Sequence, residues 1–373
     1  MIPLPREQFE GLDTHTWLYT GAEGPLHRGV RAAVEEYLDH RTGGPGGRAF
    51  NAALEESCRG RLAQLMNCDY GDIALLSNSS EAIASVIASL RCVPGDNIVV
   101  NTLEFPSGML AALAARESGI EARIVQHRDW KITSDDLLAQ VDDRTRLVIT
   151  SHVSYLSGAR IDAAALYKEL QQRKALLLLD ATQSLGVVPV NAKLADFTVA
   201  SSYKWTLAMH GVGVLAVNPQ RTADLAPTGA GWRGVPDLFS KERFKVVERF
   251  DNARRYELGF PAFGPIAALN FSSRFLMDAG IENIEKHVLR LGEIAIETLS
   301  GLGLQVMTPR HAAERAGNIA FVCTDGEGLA AALQERGILL WGGDGRARLS
   351  IHGFNDEDDI DKTVEAIREV LGR

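Results

Sequence analysis

The sequence predicts an α/β protein, a doubly wound and mainly parallel sheet followed by a smaller α+β unit. Three observations carry this expectation. Uniformly apolar segments alternate with helix-period segments through most of the chain, the pattern of parallel strands covered on both faces. Near Gly264 the alternation gives way to long amphipathic helices with short strand candidates between them. The chain has 373 residues, 46% of them hydrophobic. At ~150 residues per domain that length suggests two cores.

In chain order, NIVV at 97–100, EARIV at 121–125, RLVIT at 146–150, ALLLLD at 175–180, FTVA at 197–200 and GVGVLAV at 211–217 read as strands. IDAAALYKELQQRKA from 161 to 175 reads as a covering helix. The stretch from Thr228 to Glu257 has no clear period, and a long irregular segment inside an enzyme is often a binding loop. From Ile281 to Leu302 one helix is expected, because Ile284, Val288, Leu291, Ala295 and Leu299 recur on one face. NIAFV at 318–322 and ARLSI at 347–351 read as strands, and a last helix starts near Asp356, capped by Asn355 or Asp356. The expected division is an N-terminal arm over 1–20 packing with the small domain, a large domain over 21–262 and a small domain over 263–373.

Composition narrows the function. The net charge is -9, which gives no electrostatic basis for binding nucleic acid. No signal-peptide pattern opens the chain and no apolar run reaches the ~18 residues of a membrane span, so a cytoplasmic location is expected. The four cysteines, Cys58, Cys68, Cys92 and Cys323, are far apart. They read as small buried hydrophobes and not as a disulfide framework or a metal site.

The chemistry-bearing residues come in a fixed order. IALLSNSSEA ends a strand, turns through hydroxyls and starts a helix, whose N–H groups with Ser79 and Ser80 suit a phosphate. The same serines and Glu81 are also what a capping box would use. In LLLLDATQS, Asp180 closes a buried strand, where α/β sheets bind their ligands, with Gln183 three residues on. FTVASSYKW then sets Ser201, Ser202, Tyr203 and Lys204 between two apolar strands. A lysine there is costly without a partner, and a Schiff base with an aldehyde is one solution. Taken singly, each residue is equally a cap, a turn acid or a turn lysine.

Together, the hydroxyl turn, Asp-x-x-Gln and Ser-x-x-Lys resemble the class V aminotransferases of pyridoxal-phosphate (PLP) fold type I. That group includes cysteine desulfurases, kynureninases and isopenicillin-N-epimerase-like proteins. The resemblance covers nearly the whole chain. It implies a large domain on a mainly parallel seven-stranded sheet, a smaller α+β C-terminal domain, and pyridoxal 5′-phosphate held by Lys204. It further implies phosphate contacts from Ser79, Ser80, Ser201 and Tyr203, the last standing where many members have His. Asp180 would pair with the pyridine nitrogen, Gln183 would meet the ring hydroxyl and Phe105 of NTLEFPSG would stack on the ring. Tyr155 of SHVSYLSG and Arg348 of ARLSI would hold the substrate, Arg348 by its carboxylate.

Two departures from the family pattern bear on the reaction. Gly259-Phe260-Pro261 replaces Gly-Thr-Pro, whose Thr reaches the neighbouring subunit's phosphate. The interval ERGILLWGGDGRAR, where desulfurases carry a nucleophilic cysteine on a loop, has none. Cys323 lies too early, in a strand candidate. The resemblance therefore implies a homodimer acting on a small or medium α-amino acid through an external aldimine, without a persulfide cysteine. Aminotransferase-type and β-eliminating C–S lyase-type chemistry lead. Epimerase-like, kynureninase-like and sugar-aminotransferase activities, and a non-catalytic PLP-binding role, remain the alternatives. No metal is implied.

Overall fold

The computed structural model describes residues 2–372. Met1 of the expected arm and Arg373 of the expected small domain lie outside the described residues. Eleven strands occur among those described: β1 Thr16–Leu18, β2 Ile73–Leu76, β3 Asn97–Asn101, β4 Glu121–Val125, β5 Thr145–Ser151, β6 Leu176–Asp180, β7 Phe197–Ser201, β8 Gly213–Val217, β9 Asn318–Val322, β10 Ile338–Gly343 and β11 Arg346–Ser350.

Seven of them form one sheet in the order β2-β8-β7-β6-β5-β3-β4. Its pairs are parallel except those made by β8, which is antiparallel to both β7 and β2. This is the mainly parallel seven-stranded sheet expected. Both faces are covered, which explains the unbroken apolar runs. On β6, Leu176 and Leu178 pack into one core with Ile98, Ile149 and Phe197. Leu177 and Leu179 point the other way, into a second core with Val99, Val148 and Leu166.

The second sheet has the order β1-β10-β11-β9. β1, from the chain's start, pairs in parallel with β10 from its end. Leu4 N–H donates to Gly353 O at 3.0 Å, and Arg6 pairs with Asp359 at 2.6 Å. The helix Ile281–Gly301 lays Ile284, Val288, Leu291, Ala295 and Leu299 on this sheet's core.

Several local expectations change. The helix expected over 161–175 runs only from Ala163 to Leu170, because the Asp162 carboxylate accepts from Ala165 N–H and fixes its start. Asp356, not Asn355, caps the last helix, Glu357–Leu371. β1 is three residues long, too short for a period to show. The interval before Arg348, where desulfurases carry a cysteine loop, is here β10 and a tight hairpin into β11, with Asp344 and Gly345 at φ 49 and 72 in its turn. A two-residue turn of this kind needs both residues left-handed, which Asp-Gly supplies. Cys323 directly follows β9 instead of lying in it, and Cys68 and Cys92 are only half-buried. Among the described residues, no helix is long and apolar enough to cross a membrane, and no cluster of His, Cys, Asp and Glu could hold a metal.

Candidate active site

The carboxyl ends of β2, β5, β6 and β7 open onto one pocket. Asn78, Ser79, Ser80, Phe105, Ser151, Tyr155, Asp180, Thr182, Gln183, Ser201, Tyr203 and Lys204 line it. Every cofactor or substrate contact that the resemblance implied is among them except Arg348, which stands behind Tyr155 and donates from Nη1 to the Tyr155 carbonyl at 2.6 Å.

The helix Ser79–Ser89 starts at the pocket wall. The sequence allowed its serines or Glu81 to cap it, but Asn78 does so, accepting from Glu81 N–H at 2.8 Å. That leaves the Ser79 and Ser80 N–H groups and hydroxyls facing the pocket, the arrangement that binds an anion. Ser79 and Ser201 hydroxyls lie 2.8 Å apart, joining the helix start to the end of β7.

Asp180 ends β6 and is 6% exposed. Thr182 N–H donates to its Oδ1 at 2.8 Å. Burial raises its pKa, against the Thr182 hydrogen bonds and the Lys204 charge, which lower it. Glu104, beside Phe105, is pushed up to about 7, by burial first. Gln183 is pinned on three sides. Its Nε2 donates to Gly21 O at 2.8 Å, and its Oε1 accepts from Trp205 Nε1 at 2.8 Å and Asn318 Nδ2 at 2.9 Å. One amide hydrogen remains for a ligand.

Lys204 follows β7 and is 6% exposed, and its Nζ has no hydrogen-bond partner among the described residues. Its Nζ sits 5.0 Å from the Phe105 ring centre and 5.5 Å from that of Tyr203. Burial pushes its pKa down to about 8, helped by Arg348 and opposed by Asp180. The turn is held firmly. Gly24 N–H donates to Tyr203 O, and a Cβ on Gly24 would fall 2.6 Å from Lys204 O. Trp205 is fully buried in the core of the smaller sheet, so the lysine is anchored to both layers.

Arg348 is 3% exposed, and its Nε has no partner. Burial, then the neighbouring Arg346, push its pKa down to about 9. A wider cleft of about 1510 Å³ lies elsewhere, lined by Lys131, His152, Arg160, Glu285 and Glu314 among others. Its cations are paired, Lys131 with Glu314 and Arg160 with Glu285, each at 2.6 Å. The smaller pocket holds the unpaired buried amine of Lys204, and a buried, shifted titratable group in a cleft marks a reacting site.

Sequence reasoning missed Asn78, Thr182, Ser151 and Arg346 near this site. Thr182 stood beside Asp180, and its Oγ1 accepts from Ser201 N–H, tying β6 to β7. Arg346 shares a strand face with Arg348, and the alternation of RARLS over 346–350 was the signal that could have found it.

The family model described as aminotransferase class-V matches residues 17–363. The chain belongs to the class V aminotransferase family. This class V chain is 26% identical to a probable cysteine desulfurase of Methanothermobacter thermautotrophicus, covering 100% of this chain and 96% of that one. It is 27% identical to an isopenicillin N epimerase of Streptomyces clavuligerus, over 95% and 94% of the two chains. It is 25% identical to an uncharacterized aminotransferase of Bacillus subtilis, over 97% and 96%. Among solved structures it is similar to an apo cysteine desulfurase of Thermococcus onnurineus NA1, with TM-score 0.89, 23% identity and coverage of 98% and 97%. It is also similar to a lysine-to-alanine mutant with glycine linked to its PLP cofactor, at TM-score 0.89, 22% identity and coverage of 97% and 98%.

The protein is a PLP-dependent enzyme of this family. The pocket fits the cofactor on its own chemistry: a buried carboxylate at one end, free N–H groups and hydroxyls at the other, and an unpartnered amine between aromatic rings.

Proposed function

We propose that this enzyme is an aminotransferase-type catalyst acting on an α-amino acid, and that it works without a persulfide step. The observation that carries this reading is Lys204, a buried amine with a pKa of about 8 and no competing partner, on the pocket that also presents Asp180 and the Ser79–Ser80 turn. When bound there, pyridoxal phosphate supplies an electron sink for charge developing at the substrate Cα.

The chain's residues take separate tasks. Lys204 is the covalent anchor, and once released its Nζ takes the Cα proton. A pKa near the working pH suits both directions of that transfer. Asp180 would pair with the protonated ring nitrogen, and its burial keeps water from screening that charge. Ser79, Ser80, Ser201 and the Tyr203 hydroxyl would hold the phosphate. Gln183 would offer its free amide hydrogen to the ring oxygen. Phe105 would supply an apolar wall and has no proton to move, which leaves Lys204 as the proton carrier. Arg348 takes the substrate α-carboxylate beside Tyr155.

A persulfide step needs a thiolate that can swing into the pocket. The segment that would carry it is here the rigid β10–β11 hairpin without cysteine. Burial pushes the Cys58 and Cys68 thiols up to about 12 and raises those of Cys92 and Cys323.

A homodimer is part of the proposal. The segment after Thr228 exposes Phe239 (84%) and Phe244 (85%) with Val246, Val247 and Phe260, a concentration of exposed apolar side chains that suits a subunit contact.

The test is to incubate holoenzyme with single amino acids and an excess of pyruvate. Keto acid formed in step with alanine supports the proposal. Ammonia or sulfide release instead assigns β-elimination, and a racemised amino acid assigns epimerisation. No spectral change with any amino acid overturns the reading.

A further inference from the structure

Arg346 and Arg348 lie two residues apart on β11 and so project from the same face, ~6.8 Å apart along the strand. That face looks into the site. Ser350, next on it, donates to Asn318 Oδ1, and Asn318 donates to Gln183. Arg348 reaches the Tyr155 carbonyl. The Arg346 guanidinium lies 5.3 Å from the Tyr155 ring centre and 4.4 Å from that of Trp341, clamped between the two. Tyr155 in turn meets Phe105 edge-on at 5.2 Å.

Both guanidinium groups are buried, Arg346 to 2% exposure, and neither Nε has a hydrogen-bond partner. Among the described residues Arg348 has no acidic partner, and the one acid on Arg346 is Asp344, at 2.6 Å, whose side chain is 73% exposed at the hairpin tip. Of two adjacent buried cations, one is therefore met only by a solvated carboxylate and the other by none among these residues. Burying like charges side by side is expensive unless a ligand brings the opposite charge. A substrate α-carboxylate answers only one of them.

We propose that Arg346 forms a second anion subsite, so that the preferred substrate is a short amino acid carrying a further carboxylate or comparable anion on its side chain. This rests on the amino-acid reading above. The α-carboxylate sits on Arg348. The distal anion sits on Arg346, displaces part of the Asp344 contact and is flanked by Tyr155 and Trp341. A short dicarboxylate spans the two guanidinium groups.

The test needs no turnover. Holoenzyme is titrated calorimetrically with glutarate and with butyrate; glutarate is butyrate carrying a second carboxylate on its terminal carbon. A charge-assisted pair in a buried site predicts that glutarate binds about 30-fold more tightly. Arg346→Gln should collapse that ratio to about threefold or less. Asp344→Asn separates a subsite from a plain ion pair, since Asn suits the left-handed turn position. It should tighten glutarate binding several-fold by freeing Arg346, whereas a structural pair would loosen. A glutarate-to-butyrate ratio below threefold in the parent protein, or looser glutarate binding by Asp344→Asn, overturns the inference. If alanine and leucine change the holoenzyme spectrum while glutarate shows no advantage, only the subsite fails. If no amino acid changes the spectrum, both readings fail.

Discussion

Replacing Arg348 with Gln should impair substrate capture and stabilise the free enzyme. Of the five N–H donors on this guanidinium, one is used, from Nη1 to the Tyr155 carbonyl. A carboxylate bound by the others makes two charge-assisted hydrogen bonds at ~1.5–3 kcal/mol each. Allowing for non-additivity, their loss costs about 3–4 kcal/mol, so KM for an amino acid should rise on the order of 10²–10³-fold. The stability effect has the opposite sign. The pKa of Arg348 falls from 12.5 to about 9, mainly by burial, so the folded state holds this proton less well than the unfolded chain does. At 1.36 kcal/mol per pKa unit the penalty is at most ~5 kcal/mol, fully present at neutral pH. Removing the charge relieves it, less the lost Tyr155 bond, and the substrate-free variant should be more stable by about 1–3 kcal/mol. The cation also depresses Lys204, so the Lys204 pKa should move above its present value of about 8. Initial-rate kinetics, urea unfolding without substrate and a pH profile of kcat/KM read these three effects. An unchanged KM together with lowered stability would refute the reasoning and make Arg348 a structural residue.

In the cofactor-free protein, Lys204 has a folded pKa of about 8 against a model value of 10.5, burial being the main cause. The folded state binds fewer protons, so stability is lowest below pH 8 and rises toward pH 10.5. Lys204→Met apoprotein should therefore be more stable than the parent by about 3 kcal/mol at pH 7, the difference closing above pH 10.5; an equal gap at all pH values in denaturant titrations would contradict this. Glu257 accepts from Arg59 at 2.8 Å and from Leu75 N–H at 3.0 Å, beneath a cluster that also holds Glu55 and Arg233. Glu257→Gln should lower stability by about 3–5 kcal/mol, because it strands buried arginine charge, and unfolding midpoints would show it. Phe239→Asp with Phe244→Asp should shift sedimentation from dimer to monomer; an unchanged coefficient would place the subunit contact elsewhere.

How much of this was legible in sequence varies with the physics behind each part. The parallel strands were readable because both sheet faces are covered, which makes β6 and β7 continuously apolar. β10 was not. Its burial alternates with half-exposed positions, and GGDG at its end resembles a loop until the two left-handed residues close it into a hairpin. The pocket residues were legible because each follows a strand, and strand ends converge in this fold. The capping of the helix at Ser79 was not fixed by the residues, since SNSSE offers several caps. Only the geometry shows Asn78 taking the task and freeing the serines. The pairing of β1 with β10 joins residues more than 300 positions apart and leaves no local trace.

Buried cations unite the site's separate features. Lys204, Arg346 and Arg348 are all nearly inaccessible, and among the described residues no acid neutralises either Lys204 or Arg348 by direct contact. A fold that needed only stability would replace such groups with apolar side chains of similar volume. They persist where incoming groups complete them: an aldehyde on Lys204, a carboxylate on Arg348 and a second anion on Arg346. Burying such charges costs the protein stability, and each partner that binds them adds stability by mass action. The same imbalance that depresses Lys204 to about 8 makes its amine a usable base near neutral pH. In this protein the electrostatic strain of the resting pocket and its readiness for chemistry have one cause.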